Sequence, residues 1–171
     1  MPVFTPIPHD EFAALVRTLA NALMTGDWRP DFIIGIGRGG LAPGVYLSHA
    51  TGLATLSVDY SSKVEDFSEA PLDRLAARTR EGETLLFLDD INDTGGTIAR
   101  LRARLAAKGA VMDHVRFATL LDNIRSGQRV EYAARTIDRA VTKDWFIFPW
   151  EAMAPDSVIA QDAAEVPERT A

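Results

Sequence analysis

Apolar positions along the chain alternate between helical and strand periods. Between residues 10 and 25, Phe12, Leu15, Val16, Leu19 and Leu23 recur three and four apart, predicting an amphipathic helix with Asp10 as cap and Gly26 as stop. Residues 32–36, Phe-Ile-Ile-Gly-Ile, form a short β-branched run followed by glycines and predict a strand. A helix from about Pro43 to Thr51 and a strand over 53–59 follow. Residues 61–69 are polar without an apolar period and read as a mobile loop. The run from Thr84 to Leu88 ends on two aspartates and has the pattern of a strand buried on both faces. Ile98, Leu101 and Leu105 share one face of a helix over 97–108 that closes at Gly109. Further strands are predicted at 115–121 and 135–137, and no segment repeats.

This alternation predicts an α/β fold, an open and mainly parallel sheet flanked by helices. With 171 residues and 47% hydrophobic composition, the chain can bury one core, and residues 1–153 read as a single domain. Residues 154–171 are acidic and poor in large apolar side chains, so a disordered tail is expected there. A formal charge of -6 argues against a nucleic-acid partner, since phosphate backbones need a basic face. Small anions remain compatible, because local cations and backbone amides can hold them. The absence of cysteine excludes disulfides, thiolate metal sites and thiol catalysis, and fits a reducing cytoplasm. Neither a cationic-then-apolar leader nor an apolar run of bilayer length is present, so no membrane partner is expected. His9, His49 and His114 are scattered without metal-ligand spacing.

The chemistry concentrates in residues 85–97, LLFLDDINDTGGT, between the buried strand and a helix. In an open parallel sheet, ligands bind at the carboxyl ends of strands, where Asp89 and Asp90 fall. Paired carboxylates there can accept hydrogen bonds from a diol or hold a hydrated cation. The loop Asp93-Thr94-Gly95-Gly96-Thr97 offers amides, hydroxyls and a helix amino terminus to a phosphate. A lone Asp-Asp would merely end a strand. Three acids crowded at one strand end call for a cation or polyol.

This constellation resembles the phosphoribosyl pyrophosphate signature of type I phosphoribosyltransferases, in particular the xanthine-guanine and hypoxanthine enzymes, over roughly residues 30–151. The resemblance implies that Asp89 and Asp90 hold the ribose diol and its Mg2+, that residues 93–97 bind the 5-phosphate, and that Asp93 and Arg38 are catalytic. Asp93 would take a proton from the base or stabilise an oxocarbenium-like sugar. It further implies a small hood over the base site and pyrophosphate bound by Gly37, Arg38, Gly39 and Gly40, through a strained or cis Gly37–Arg38 peptide. Tyr60, Ser61, Ser62 and Lys63 resemble the start of the loop that closes over the reacting centre; an ordinary surface loop is the alternative.

Trp145 takes the place of the residue that stacks on the base, Phe146 lies beside it, and Glu151 falls near a second-metal position. Asn123 stands where purine enzymes usually carry a lysine that donates to a 6-oxo group; its amide can donate or accept, which leaves the base open. The implied reaction joins phosphoribosyl pyrophosphate to a purine, with a 6-oxopurine favoured, in a homo-oligomer (dimer or tetramer). Two other readings stand beside it. One is a non-catalytic regulator that senses phosphoribosyl pyrophosphate or a nucleotide on the same fold. The other is a dinucleotide-binding oxidoreductase, since residues 35–40 satisfy G-x-G-x-x-G and Asp59 lies near the expected ribose acid; that reading leaves residues 85–97 unexplained.

Overall fold

The computed structural model describes residues 3–59 and 69–165. In chain order these form β1 (Phe4–Pro6), α1 (His9–Thr25), β2 (Phe32–Ile36), α2 (Gly37–Thr51), β3 (Ala54–Val58), α3 (Glu69–Arg80) and β4 (Leu85–Asn92). Then follow α4 (Gly96–Ala107), β5 (Val115–Asn123), β6 (Tyr132–Ile137), β7 (Trp145–Ile147) and α5 (Asp156–Ala164). Five strands pair in parallel in the order β3-β2-β4-β5-β6, the α/β arrangement expected from the alternation.

The period of two along each strand divides the core. Ile33, Leu86, Leu88, Ala118 and Leu120 face α1 and α2, where Phe12, Leu19, Leu23 and Leu47 are buried against them. Ile34, Leu85, Phe87, Val115 and Phe117 face the other way, onto Leu72 and Leu75 of α3 and Ile98, Leu101 and Leu105 of α4. Both faces are covered, which is why β4 reads as a continuous apolar run. β1 and β7 form a separate two-stranded parallel pair, with Phe4 opposite Trp145 and Thr5 opposite Phe146. This pair ties the amino terminus to the segment carrying the aromatic candidates.

Several boundaries differ from expectation. Pro8, without a side-chain hydrogen bond, precedes α1 in place of Asp10, and Gly26 ends it as expected. Helix α2 begins at Gly37 and not near Pro43, so the glycine run forms its first turn and Pro43 lies inside the helix, where it has no N–H to donate to the Gly39 carbonyl. Helix α3 was not anticipated, although Leu72, Leu75, Ala76 and Thr79 are buried at helical spacing. The disordered tail is corrected over residues 156–164, which form α5 with Ala163 buried. Val158 and Ile159 give that helix an apolar side against the cleft described below, a local feature that average tail composition conceals.

The glycine turn fits where no side chain would. A Cβ on Gly40 would lie 2.1 Å from the Leu88 carbonyl oxygen, which is backbone and cannot step aside. We expect Gly40→Ala to lower unfolding free energy by about 1–3 kcal/mol or more, as overpacking does, measured by urea denaturation. An unchanged midpoint would show that α2 does not need this approach.

Candidate active site

Pairing between β2 and β4 stops at Gly35 opposite Leu88, whereas β4 continues beside β5 to Asn92 opposite Asp122. The residues immediately beyond Leu88 therefore have one vacated edge, and the first turn of α2 occupies it. A Cβ on Gly39 would lie 2.5 Å from an Asp90 carboxylate oxygen and 2.8 Å from one of Asp89. The amino-terminal turn of a helix thus rests against the two acids, where its dipole favours negative charge. Each carboxylate also turns back on its own strand: Asp89 Oδ1 accepts from the Asp90 N–H at 3.0 Å and Asp90 Oδ1 from the Ile91 N–H at 2.7 Å. Gly37 takes φ 51°, so the uncommon backbone is in the glycine's own torsion; the Gly37–Arg38 peptide is trans, and the cis alternative is corrected.

The second loop is braced from behind. Gly95 has φ 87°, and a Cβ there would meet Gln128 N at 2.7 Å. The Gly127 N–H donates to Thr94 O at 3.1 Å, and Asn92 Nδ2 donates to Asp122 Oδ1 and Gln128 O at 2.7 and 2.8 Å. The turn after β5 thereby fixes the chain that enters α4.

A cleft of about 860 Å³ lies over the strand end. Gly37, Arg38, Gly39, Asp89, Asp90, Thr97, Trp145 and Glu151 all line it, as do Asp59, Trp150, Val158, Ile159 and Asp162. Among the described residues its charges are unbalanced: five carboxyl groups face one guanidinium, that of Arg38. A smaller recess of about 100 Å³ adjoins it, walled by Ile91, Asp93, Arg139, Phe146 and Phe148 and sharing Asp90, Trp145 and Glu151 with the cleft. Phe148 and Trp150 stack at 4.9 Å behind this region, and Trp150 meets Phe12 of α1 edge-on at 5.4 Å.

Asp93 is buried, and sequence reasoning missed its partner. Arg139 grips both carboxylate oxygens, from Nε at 3.0 Å and from Nη2 at 2.8 Å. A lone arginine in a polar loop carries no periodic signal; only the need of a buried acid for a counter-charge pointed to such a residue.

Asn123 does not join the recess. Its Nδ2 donates to Asp93 O at 2.9 Å while Oδ1 accepts from the Arg125 and Arg139 N–H groups, each at 3.2 Å. Its assignment to the base is corrected, since these backbone partners occupy the amide and it lines neither cavity. Gly40 is buried, and a Cβ there would meet the Leu88 carbonyl oxygen. Thr94, Gly95 and Gly96 line neither cavity, and Tyr60, Ser61, Ser62 and Lys63 lie outside the described residues. Of the histidines, His9 contacts the Tyr46 hydroxyl and His114 the Thr79 carbonyl.

The family model of the phosphoribosyl transferase domain matches residues 8–156. The chain belongs to the phosphoribosyltransferase family. The match supports an enzyme of that class, and it removes the dinucleotide-binding reading. Among solved structures, a purine phosphoribosyltransferase from Pyrococcus horikoshii is similar at 22% identity with TM-score 0.61, over 86% of this chain and 93% of that one. A hypothetical protein from Neisseria gonorrhoeae with bound ppGpp aligns at 22% identity and TM-score 0.70, over 98% of both chains. The xanthine-guanine-hypoxanthine phosphoribosyltransferase of Helicobacter pylori aligns at 16% identity and TM-score 0.63, over 94% and 99%. These likenesses establish a shared phosphoribosyltransferase fold.

Glu151 stands where cleft and recess meet, and its Oε2 accepts from the Phe148 N–H at 2.9 Å. Burial pushes its carboxyl up to about 7; the Phe148 N–H and Arg38 oppose the rise, and Asp90 and Asp162 add to it. From the ordinary value of 4.5 up to about 7, the folded protein keeps a proton that the unfolded chain has released, so stability falls as pH rises through that window. We expect Glu151→Gln, whose amide oxygen still accepts the Phe148 N–H, to remove this fall. Melting temperatures of wild type and variant should diverge between pH 4.5 and 7, with the variant higher at the upper end. A constant difference across the window would contradict the assignment.

Proposed function

We propose that this phosphoribosyltransferase moves ribose 5-phosphate from phosphoribosyl pyrophosphate to a purine base, a 6-oxopurine in preference, giving a nucleoside monophosphate and pyrophosphate. The observation that carries this reading is the placement of Asp89 and Asp90 against the glycine-bearing amino terminus of α2, in one cleft with Thr97 of α4 and beside a recess walled by Trp145 and Phe146. In this reading Asp93-Thr94-Gly95-Gly96-Thr97 holds the 5-phosphate, while Gly37, Arg38, Gly39 and Gly40 hold the pyrophosphate. Trp145 offers its indole face to the base. Structural neighbours named for purine and for xanthine, guanine and hypoxanthine support the choice of base.

The donors at the strand end are carboxylate oxygens, the hard ligands that Mg2+ takes. Mg2+ is commonly held by one or two carboxylates with substrate oxygens completing the shell. Among the described residues no three His, Asp or Glu side chains converge as a protein-only cage, and an ion held in this way needs none. Asp89 and Asp90 would hold it, with Glu151 near a second, and it would supply the positive charge that a highly anionic cosubstrate needs in an acidic cleft. Arg38 adds a fixed cation at the pyrophosphate end. Asp93 would meet the developing charge on the sugar or the proton leaving the base. The enzyme is proposed to act in the cytoplasm as a homo-oligomer. No helix among the described residues is long and apolar enough to cross a membrane.

A second reading, a regulator that senses a nucleotide without turnover, is favoured by the ppGpp held by the Neisseria neighbour, which aligns over 98% of both chains. One experiment separates them: a panel of purine and pyrimidine bases with phosphoribosyl pyrophosphate and Mg2+, read out as pyrophosphate release. Turnover with guanine, hypoxanthine or xanthine above all others is expected. No release with any base, together with tight binding of ppGpp or a nucleotide, would establish the regulator instead.

A further inference from the structure

Arg139 has no task in the reaction as proposed, yet its surroundings are specific. Nε and Nη2 bind the two oxygens of Asp93, and Nη1 donates to Asp144 O at 2.6 Å and Thr142 O at 3.3 Å. Its guanidinium lies 5.4 Å from the centre of the Phe146 ring, and the side chain walls the small recess. The side chains of the pair are only 11% and 4% exposed. One planar group therefore spans two pieces of chain far apart in sequence: the start of the phosphate loop and the segment that runs into Trp145 and Phe146.

A buried ion pair is weak evidence for stability, because desolvation offsets most of the attraction. Direction is what a guanidinium adds. Parallel bonds to both oxygens leave the carboxylate little rotational freedom, and a lysine ammonium, a point charge, cannot reproduce that fork while also reaching two carbonyls. We propose that Arg139 is a positioning residue for the transfer: anchored by the Asp144 and Thr142 carbonyls, it orients the Asp93 carboxylate. The inference rests on the reading of Asp93 as the group that meets the reacting centre.

The test compares Arg139→Lys, Asp93→Asn and the double variant Asp93→Asn/Arg139→Gln by steady-state kinetics, with melting temperature measured alongside. Arg139→Lys keeps the charge, and the double variant leaves no buried charge unpaired, so a folded comparison is retained. Misplacing a reacting group by about 1 Å can cost about 10²-fold. Arg139→Lys should therefore lower kcat about tenfold or more, with KM for phosphoribosyl pyrophosphate changed less than about twofold. Because Arg139 acts through Asp93, the double variant should be no slower than Asp93→Asn alone. An unchanged kcat in Arg139→Lys, or a further tenfold loss in the double variant, would overturn the inference while leaving the role of Asp93 standing. A raised KM for the base with unchanged kcat would likewise overturn it, showing that Arg139 reads the base. Normal kcat in Asp93→Asn would remove the inference together with the reading it rests on.

Discussion

Helix α2 meets the carboxyl ends of β2 and β4 with no room for a side chain between them. A Cβ on Gly40 would lie 2.1 Å from Leu88 O, one on Gly35 2.8 Å from Gly40 O, and one on Gly39 2.5 Å from an Asp90 oxygen. At Gly35 and Gly40 the blocking atoms are backbone, so these two glycines permit an approach that a side chain would prevent, and at Gly39 a side chain would displace the two carboxylates. The helix amino terminus comes to rest on Asp89 and Asp90, where its partial positive charge offsets part of the repulsion between adjacent carboxylates. This contact brings the first turn of α2 into the cleft beside the paired acids, and Thr97 of α4 lines the same cleft.

The remaining walls come from distant parts of the chain. The pairing of β1 with β7 holds Trp145 and Phe146, and Arg139 joins that segment to Asp93. Helix α5 closes the far side with Val158, Ile159 and Asp162. Among the described residues the result is an acidic cleft, five carboxyl groups to one arginine, in a protein proposed to bind one of the more anionic small molecules of metabolism. Charge of that sign repels such a ligand unless cations accompany it. The proposed Mg2+ would supply such a cation.

Legibility in the sequence followed locality. β2, β4 and α4 could be read because burial on both faces or on one stripe leaves an unbroken pattern, and Asp89 and Asp90 line the cleft at the end of β4, where a parallel sheet opens to ligands. Helix α3 was missed although its buried positions are periodic, since charged residues fill its other faces. Helix α5 was read as disorder because a few apolar residues in an acidic tail have meaning only against the cleft they cover. Asn123 and Arg139 fail for a different reason. The partners of both are set by tertiary contact across the loops after β4 and β6, and no spacing reveals that one is occupied by backbone and the other by a buried acid.

Calorimetric titration of phosphoribosyl pyrophosphate into the protein, with and without Mg2+, bears most directly on the claim that paired acids beside the amide-rich first turn of α2 form a cation-dependent site for this ligand. Binding at one site per chain in Mg2+, weakened at least about tenfold by EDTA and by Asp90→Asn, is the predicted result. Equal affinity with and without the divalent ion, or no binding in either condition, would contradict it.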